Sequence, residues 1–427
     1  MQTKLTHAQQ AFQYWKITTV KERTQLLLKV KENLHLHRMS YATLITQEMS
    51  KPITQSFAEV DKCGLLCDYY AEHAESFLQS KHVTTEALES FVCYEPLGVL
   101  LGVMPWNFPF WQVFRFAIPA IMAGNTVVIK HASNVPQSAE SIESLFLESG
   151  FPTGIYQNLQ IPSDKVAEVI DNPIIKAASL TGSEKAGSAV AMQAGKHLKK
   201  TVLELGGSNA FIVCEDADMD KTVATAVNAR MQNAGQSCIA SKRFLVHENV
   251  YELFLEKLKT AISQLRTGDV MNPETQIGSL ARVDLAEELE RQVQKSVEMG
   301  AKIVHGGKRD GAFYEPTILV QITPVMPVFK EETFGPVVAL LSFSTLDEAI
   351  TLSNQSDFGL GVSIFTVNIP YIKTRIPEFN EGAVFINGMV KSDPRLPFGG
   401  IKKSGYGREL SREGILEFVN CKTVVIY

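Results

Sequence analysis

The chain has 427 residues, 45% hydrophobic and 20% charged, with a formal net charge of −5 at pH 7. That length exceeds what a single hydrophobic core serves and calls for two or three domains. The interspersed, slightly acidic charge excludes the basic footprint of a nucleic-acid binder, and the composition is that of a soluble globular protein.

In chain order, residues 5–79 place apolar side chains at intervals of three and four with few Gly or Pro, which predicts helices. The stretch 82-HVTTEALESFVCYEPLG-98 turns β-like and ends in Pro-Leu-Gly, which predicts a strand. The longest charge-free apolar run, Pro96 to Phe114, is interrupted by Gly98, Gly102, Pro105, Asn107 and Pro109. Their backbone groups could not all be satisfied in lipid, so no membrane span is expected. The first residues, MQTKLTHAQQAFQYWK, hold no apolar h-region, and a cytoplasmic protein is expected.

VLLGVMPW and NTVVIK read as buried strands, with a helical segment from Phe110 to Met122 between them. AASLTG, a helix from Ser183, and TVLELGG continue the alternation. Such a pattern predicts a parallel sheet with helices on both faces. A second α/β region follows Gly206, with NAFIVCE, a helix Met219 to Gln232, KRFLVHE, and helices Val250 to Arg266 and Asp284 to Met299. Further strands are expected at AVFIN and near KTVVIY. No repeat or long linker separates these regions, so the domains must be interleaved.

The six cysteines (63, 67, 93, 214, 238 and 421) are too scattered for a disulfide framework. Cys63 and Cys67 lie one helical turn apart, but no nearby His or Cys pair completes a zinc set. They are expected to be small residues on a buried helix face, and no metal is expected.

Cys238, in 233-NAGQSCIASKR-243, has little apolar bulk around it. A free thiol ionises near pH ~8.5, so a nucleophilic one needs a lowered pKa or a nearby base. Taken alone, it is either a small core residue or a nucleophile. Glu204 stands between Leu203 and Leu205, just before two glycines. A carboxylate there is either paired or raised in pKa, as a general base requires. Asn107, in MPWNFPF, is an amide fixed in an apolar setting, fit to donate to an oxyanion or to cap the following helix. In 180-LTGSEKAG-187 a turn leads into a helix start that suits a phosphate, although the G-x-G-x-x-G fingerprint is missing. Arg115 is the only charge in 108-FPFWQVFRFAIPAIMAG-124. It reads either as half of a buried ion pair or as a fork for a substrate carboxylate.

The segments MPWNFP, LTGS, LELGG, GQSC, EETFGP and PFGGIKKSGYGRE, in this order, resemble the NAD(P)-dependent aldehyde dehydrogenase superfamily over nearly the whole chain. The resemblance implies a Rossmann-like cofactor domain (1–80 and 97–206), an interleaved α/β catalytic domain (207–410), and a small β oligomerisation arm (81–96 and 411–427). It implies Cys238 as nucleophile, Glu204 as base, and an oxyanion hole from the Asn107 amide and the Cys238 backbone N–H. The mechanism implied runs through a thiohemiacetal and a thioester to a carboxylic acid, without a metal. Met104, Trp106, Lys130, Ser133, Gly182, Ser183, Leu205, Glu332 and Phe334 would line the dinucleotide site.

Members that prefer NAD often carry Glu where this chain has Ser133. A carboxylate there would repel a 2′-phosphate by about 3 kcal/mol at ~5 Å and an effective dielectric of ~20. Ser133 removes that repulsion and Lys130 attracts the phosphate, so NADP is the expected cofactor and NAD the second candidate. Arg115 and Ser392 match positions of bacterial succinate-semialdehyde dehydrogenases, which implies oxidation of succinate semialdehyde to succinate. One departure is Gln232, where some members have a second Arg. The competing expectations are a broad-range aliphatic or aromatic aldehyde dehydrogenase and a catalytically silent dinucleotide-binding scaffold. Exposed arm edges would be covered by another subunit, so a homodimer or homotetramer is expected.

Overall fold

A computed structural model describes residues 1–427. Four helices, Gln2–Trp15, Val20–Leu36, Arg38–Met49 and Ile53–Leu78, open the chain, as the helical periodicity predicts. The second begins with a capping box in which Thr19 and Glu22 satisfy each other's backbone donors. Cys63 and Cys67 are fully buried on the fourth.

The first sheet has six strands in the order Gly405–Tyr406, Lys200–Glu204, Ile175–Thr181, Val99–Met104, Thr126–His131, Tyr156–Asn158. All run parallel except the first, which pairs antiparallel with Lys200–Glu204. Strand order reverses direction beside Val99–Met104, because the chain builds Thr126–His131 on one side and Ile175–Thr181 on the other. In open parallel sheets such a switch point, at the carboxyl ends of the strands, is where a ligand crevice forms. The helix Trp111–Met122 has all of its residues buried, between this sheet and the helix Ile53–Leu78. That double coverage explains why its sequence is apolar on every face.

The second sheet has seven strands in the order Lys302–His305, Thr317–Val320, Val337–Phe343, Ser241–His247, Asn209–Val213, Val362–Phe365, Val384–Ile386. Only Lys302–His305 is antiparallel to its neighbour. Helices Met219–Met231, Tyr251–Ser263 and Val283–Glu298 flank this half close to their expected bounds.

The arm is a three-stranded antiparallel sheet of Lys81–His82, Glu89–Pro96 and Val419–Ile426. The C-terminal boundary differs from the expectation. Strand Gly405–Tyr406 completes the first sheet, and helix Ser411–Leu416 packs on Ile53–Leu78 and Trp111–Met122. The tail therefore contributes to the arm only from Val419. The physical reason is the buried side chains Leu410, Ile415 and Phe418, which join the core of the first half.

Candidate active site

Three chain crossings at the switch point bring the site together. Strand Val99–Met104 ends into the loop carrying Trp106 and Asn107. Strand Ile175–Thr181 ends at Gly182 and Ser183, and strand Lys200–Glu204 ends on Glu204 itself. The Cys238 loop enters from the other half, between Met219–Met231 and Ser241–His247.

That loop is tightly wound. Asn233 and Ala234 hold φ of 53° and 51°, a left-handed conformation that costs a non-glycine residue roughly 1–2 kcal/mol. Gly235 follows at φ 75°, and a Cβ there would come within 2.4 Å of the Gly335 carbonyl oxygen, so no larger residue fits. Hydrogen bonds hold the turn in place. Asn233 Nδ2 donates to the Asn107 carbonyl at 2.8 Å, Asn107 Nδ2 donates to the Gln236 carbonyl at 3.1 Å, and the Asn233 N–H donates to Gln55 Oε1 at 2.7 Å. The Asn107 and Cys238 loops are thus braced against each other.

Beneath the loop, Lys242 is fully buried and donates to the carbonyls of Ser237 and Cys238, both at 2.9 Å, and to Glu332 Oε1 at 3.1 Å. Glu332 Oε1 also accepts from the Gly207 N–H at 3.0 Å. Lys242 therefore ties the Cys238 backbone to Glu332. Sequence reading passed over it, because a lysine at the start of an apolar strand looks like an ordinary edge charge.

Cys238 lines two cavities at once. One, of about 430 Å³, is also lined by Trp106, Asn107, Gly182, Ser183, Glu204, Leu205, Glu332 and Phe334, eight of the residues singled out from sequence. The other, of about 360 Å³, brings in Arg115, Ser392, Lys62, Trp111 and Phe398. A third, of about 380 Å³, shares Ser183 with the first and extends past Ser163, Val166 and Ile170. These three residues were not foreseen, since neither the turn Ser163–Lys165 nor the short helix Val166–Asp171 has a motif of its own.

Burial pushes the Cys238 thiol up to about 11, against the pull of Arg115 and Lys242. Its backbone N–H donates to no protein acceptor. Glu204 is 2% exposed, and neither carboxylate oxygen has a hydrogen-bond partner. Burial, and then the nearby Glu409 carboxylate, push its pKa well above the usual carboxylate range. A neutral thiol, a proton-accepting carboxylate, a free backbone N–H and a braced amide around one point can carry out acyl chemistry.

The first and third cavities suit an elongated anionic cofactor. Ser183 caps the helix Glu184–Lys196 by accepting from the Ala186 N–H, so the positive end of that helix opens on the wall the two cavities share. A Cβ on Gly187 would meet Leu205 at 2.6 Å, which is why this helix can lie so close to the strand. Trp106 and Phe334 make an edge-to-face pair at 5.7 Å beside Cys238. Lys130 is buried, has no carboxylate partner, and donates to Ser163 Oγ at 3.0 Å at the edge of the third cavity. Ser133 is exposed on the loop after Thr126–His131 and lines none of the three. The Met104 side chain is in the core, 2% exposed, so only its backbone at the strand end is near the crevice.

Arg115 corrects one expectation. It reaches the second cavity as foreseen, but its guanidinium is not a free fork. Nε pairs with Glu409, both side chains buried, Nη2 lies 3.5 Å from Thr181 Oγ1, and the plane stacks 4.4 Å over Phe398. The pairing arises because Phe398 and Glu409 are joined by reciprocal backbone hydrogen bonds of 2.8 Å, which aim Glu409 at Arg115.

The model of the aldehyde dehydrogenase family matches residues 1–424. The chain belongs to the aldehyde dehydrogenase family. As an aldehyde dehydrogenase it is 50% identical over 426 residues to a probable NADP+-dependent succinate-semialdehyde dehydrogenase of Synechocystis, covering 99% of this chain and 94% of that one. To an NAD(P)+-dependent succinate semialdehyde dehydrogenase of Escherichia coli it is 43% identical, covering 97% and 90%. Among aldehyde dehydrogenase structures, the succinic semialdehyde dehydrogenase of Streptococcus pyogenes in complex with NADP+ superposes with a TM-score of 0.97. It is 39% identical, and the match covers 99% of this chain and 94% of that one.

Proposed function

We propose that this aldehyde dehydrogenase oxidises succinate semialdehyde to succinate with NADP+. The observation that carries the reading is the place of Cys238 between two unlike cavities. One opens at a capped helix end, and the other is lined by three cationic side chains, Lys62, Arg115 and, at its rim, Lys391. The 43–50% identity to enzymes named for this reaction supports it.

In the proposed sequence the Cys238 thiol gives its proton to solvent in the cavity as its sulfur bonds to the aldehyde carbon, and the carbonyl oxygen, now an oxyanion, accepts from Asn107 Nδ2 and the Cys238 N–H. Glu332, Phe334, Trp106 and Ser183 would hold the dinucleotide, which would take up the hydride whose loss from the aldehyde carbon leaves the thioester. Glu204 then takes a proton from water as the water attacks the thioester, and the acid leaves with the Cys238 thiol restored. Lys130, with Ser133 in place of an acidic residue, favours the 2′-phosphate of NADP.

The division of labour we propose gives cofactor binding to residues 1–80 and 97–206 and catalysis to the half that follows. The free edge of Val419–Ile426, eight residues long, supports assembly into at least a dimer. No helix is long and apolar enough to cross a membrane, and six free thiols agree with a cytoplasmic setting. The test is a screen of the purified protein with succinate semialdehyde, butanal and benzaldehyde, each with NADP+ and NAD+. The reading expects kcat/KM highest for the semialdehyde with NADP+. Equal or higher values for the neutral aldehydes would leave a broad-range enzyme instead.

A further inference from the structure

The second cavity contains a charge that the reaction as proposed does not use. Helix Ile53–Leu78 forms one wall of it, with Gln55, Ala58, Glu59, Lys62 and Leu65 along a single face. Lys62 Nζ donates to Ser392 Oγ at 2.7 Å and sits 4.2 Å over the Trp111 ring. The aromatic face and the hydroxyl fix the ammonium in place while leaving it without a counter-ion.

The other charges of the cavity are already neutralised. Glu59 is held by buried Lys51 and also accepts from the N–H groups of Phe110 and Trp111 at 2.9 and 3.1 Å. Asp393 is held by Arg395 at 2.7 Å, and Arg115 by Glu409. Lys391 is exposed at the rim. Inside the cavity one positive charge has no carboxylate, and it is Lys62. A partly buried ammonium in that position is costly unless an anion joins it.

We propose that Lys62, with Ser392, is the group that receives the substrate's carboxylate, so that Lys62 sets the preference for a short ω-carboxylated aldehyde. This inference rests on the semialdehyde reading above. Arg115, bound to Glu409, then contributes its field and its remaining donor rather than a two-pronged clamp. The aldehyde carbon would meet Cys238 on the opposite wall, with Trp111 and Phe398 beside the intervening methylenes. Burial, and secondly Arg115, lower the Lys62 pKa to about 8, so the empty cavity already weakens its charge.

The experiment compares Lys62→Met, Lys62→Gln and Lys62→Arg with the unmodified enzyme, using succinate semialdehyde and butanal under NADP+ saturation. Loss of one charge-assisted hydrogen bond should cut kcat/KM for the semialdehyde about tenfold or more through KM, and leave butanal within about threefold. Lys62→Arg should recover much of the loss. Equal losses on both aldehydes, or none on either, overturn the proposal.

A pH series on the unmodified enzyme gives a readout that does not depend on any variant folding. The ratio of kcat/KM for semialdehyde over butanal should fall as pH rises through about 8, where Lys62 loses its proton. The groups facing Lys62 are Glu59 and Cys63 on its own helix, Arg115, Cys238, and Asp393 and Lys391 on the Ser392 loop. Glu59, Arg115 and Asp393 are fixed in ion pairs, and burial pushes both thiols upward, Cys238 to about 11. A flat ratio from pH 7 to 9 would overturn the assignment. If the unmodified enzyme shows no preference for the semialdehyde, the substrate reading itself fails. If it shows the preference and Lys62→Met keeps it, only the role of Lys62 fails.

Discussion

The free enzyme should hold Cys238 as a thiol, and alkylation measures this directly. Burial sets the Cys238 pKa at about 11, above an ordinary thiol near ~8.5. At pH ~8 an ordinary thiol is roughly one-quarter ionised, whereas a group at about 11 is ionised to roughly one part in a thousand. The thiolate population is therefore down by about 250-fold. The more basic thiolate regains roughly 10–20-fold in intrinsic reactivity, from a Brønsted slope of about 0.4–0.5. The net expectation is iodoacetamide labelling of Cys238 about 12- to 25-fold slower than a small free thiol at the same pH. Its rate should rise about tenfold per pH unit toward pH 11. Peptide-resolved mass spectrometry is needed, because Cys421 is exposed and will label first. A rate that levels off below pH ~9 would mean that Arg115 and Lys242 outweigh burial. In that event the free enzyme would already hold Cys238 as a thiolate.

Two further variants probe the buried charges and the cofactor crevice. Glu409→Gln leaves Arg115 as an uncompensated buried charge and should lower the midpoint of chemical unfolding, with a loss of about 3 kcal/mol. Because the Glu409 charge helps to raise Glu204, the acid limb of the deacylation rate in this variant should move to lower pH; an unmoved limb would show the two carboxyls to be independent. Ser133→Glu places a carboxylate near the expected 2′-phosphate position. The ratio of kcat/KM for NADP+ over NAD+ should drop by about tenfold or more, less than the unscreened Coulomb figure because the residue is exposed; an unchanged ratio would move the phosphate site elsewhere.

How much was legible in the sequence differs between backbone and charge. Four strands of the first sheet were readable, because VLLGVM, TVVIKH, KAASLT and KTVLE carry short apolar runs bounded by turns, while the short edge strands Tyr156–Asn158 and Gly405–Tyr406 were not. The strands Thr317–Val320, Val337–Phe343 and Val362–Phe365 were not, although VVALLSF is just as apolar. Buried parallel strands lack alternation, and a short apolar run cannot be told from a helix by periodicity alone. Cys238, Glu204 and Asn107 stood out because each is a reactive or polar group set among residues that give it no local partner. The pairing of Arg115 with Glu409, and the contact of Lys62 with Ser392 across 330 residues, did not. On its helix, Lys62 looks like one more solvated charge, and only the tertiary fold turns it inward. Lys242 was missed for the same reason.

The most direct test of the account is to trap the acyl group in Glu204→Gln. With water activation removed, hydride transfer should still proceed once and the thioester should accumulate. Mixing this variant with succinate semialdehyde and NADP+ should give a burst of about one reduced dinucleotide per chain, then turnover slowed roughly 10²–10⁴-fold. Intact-mass and peptide spectra of the quenched protein should place a succinyl group on Cys238. A burst-free time course, or an acyl group found on any other side chain, would contradict the account.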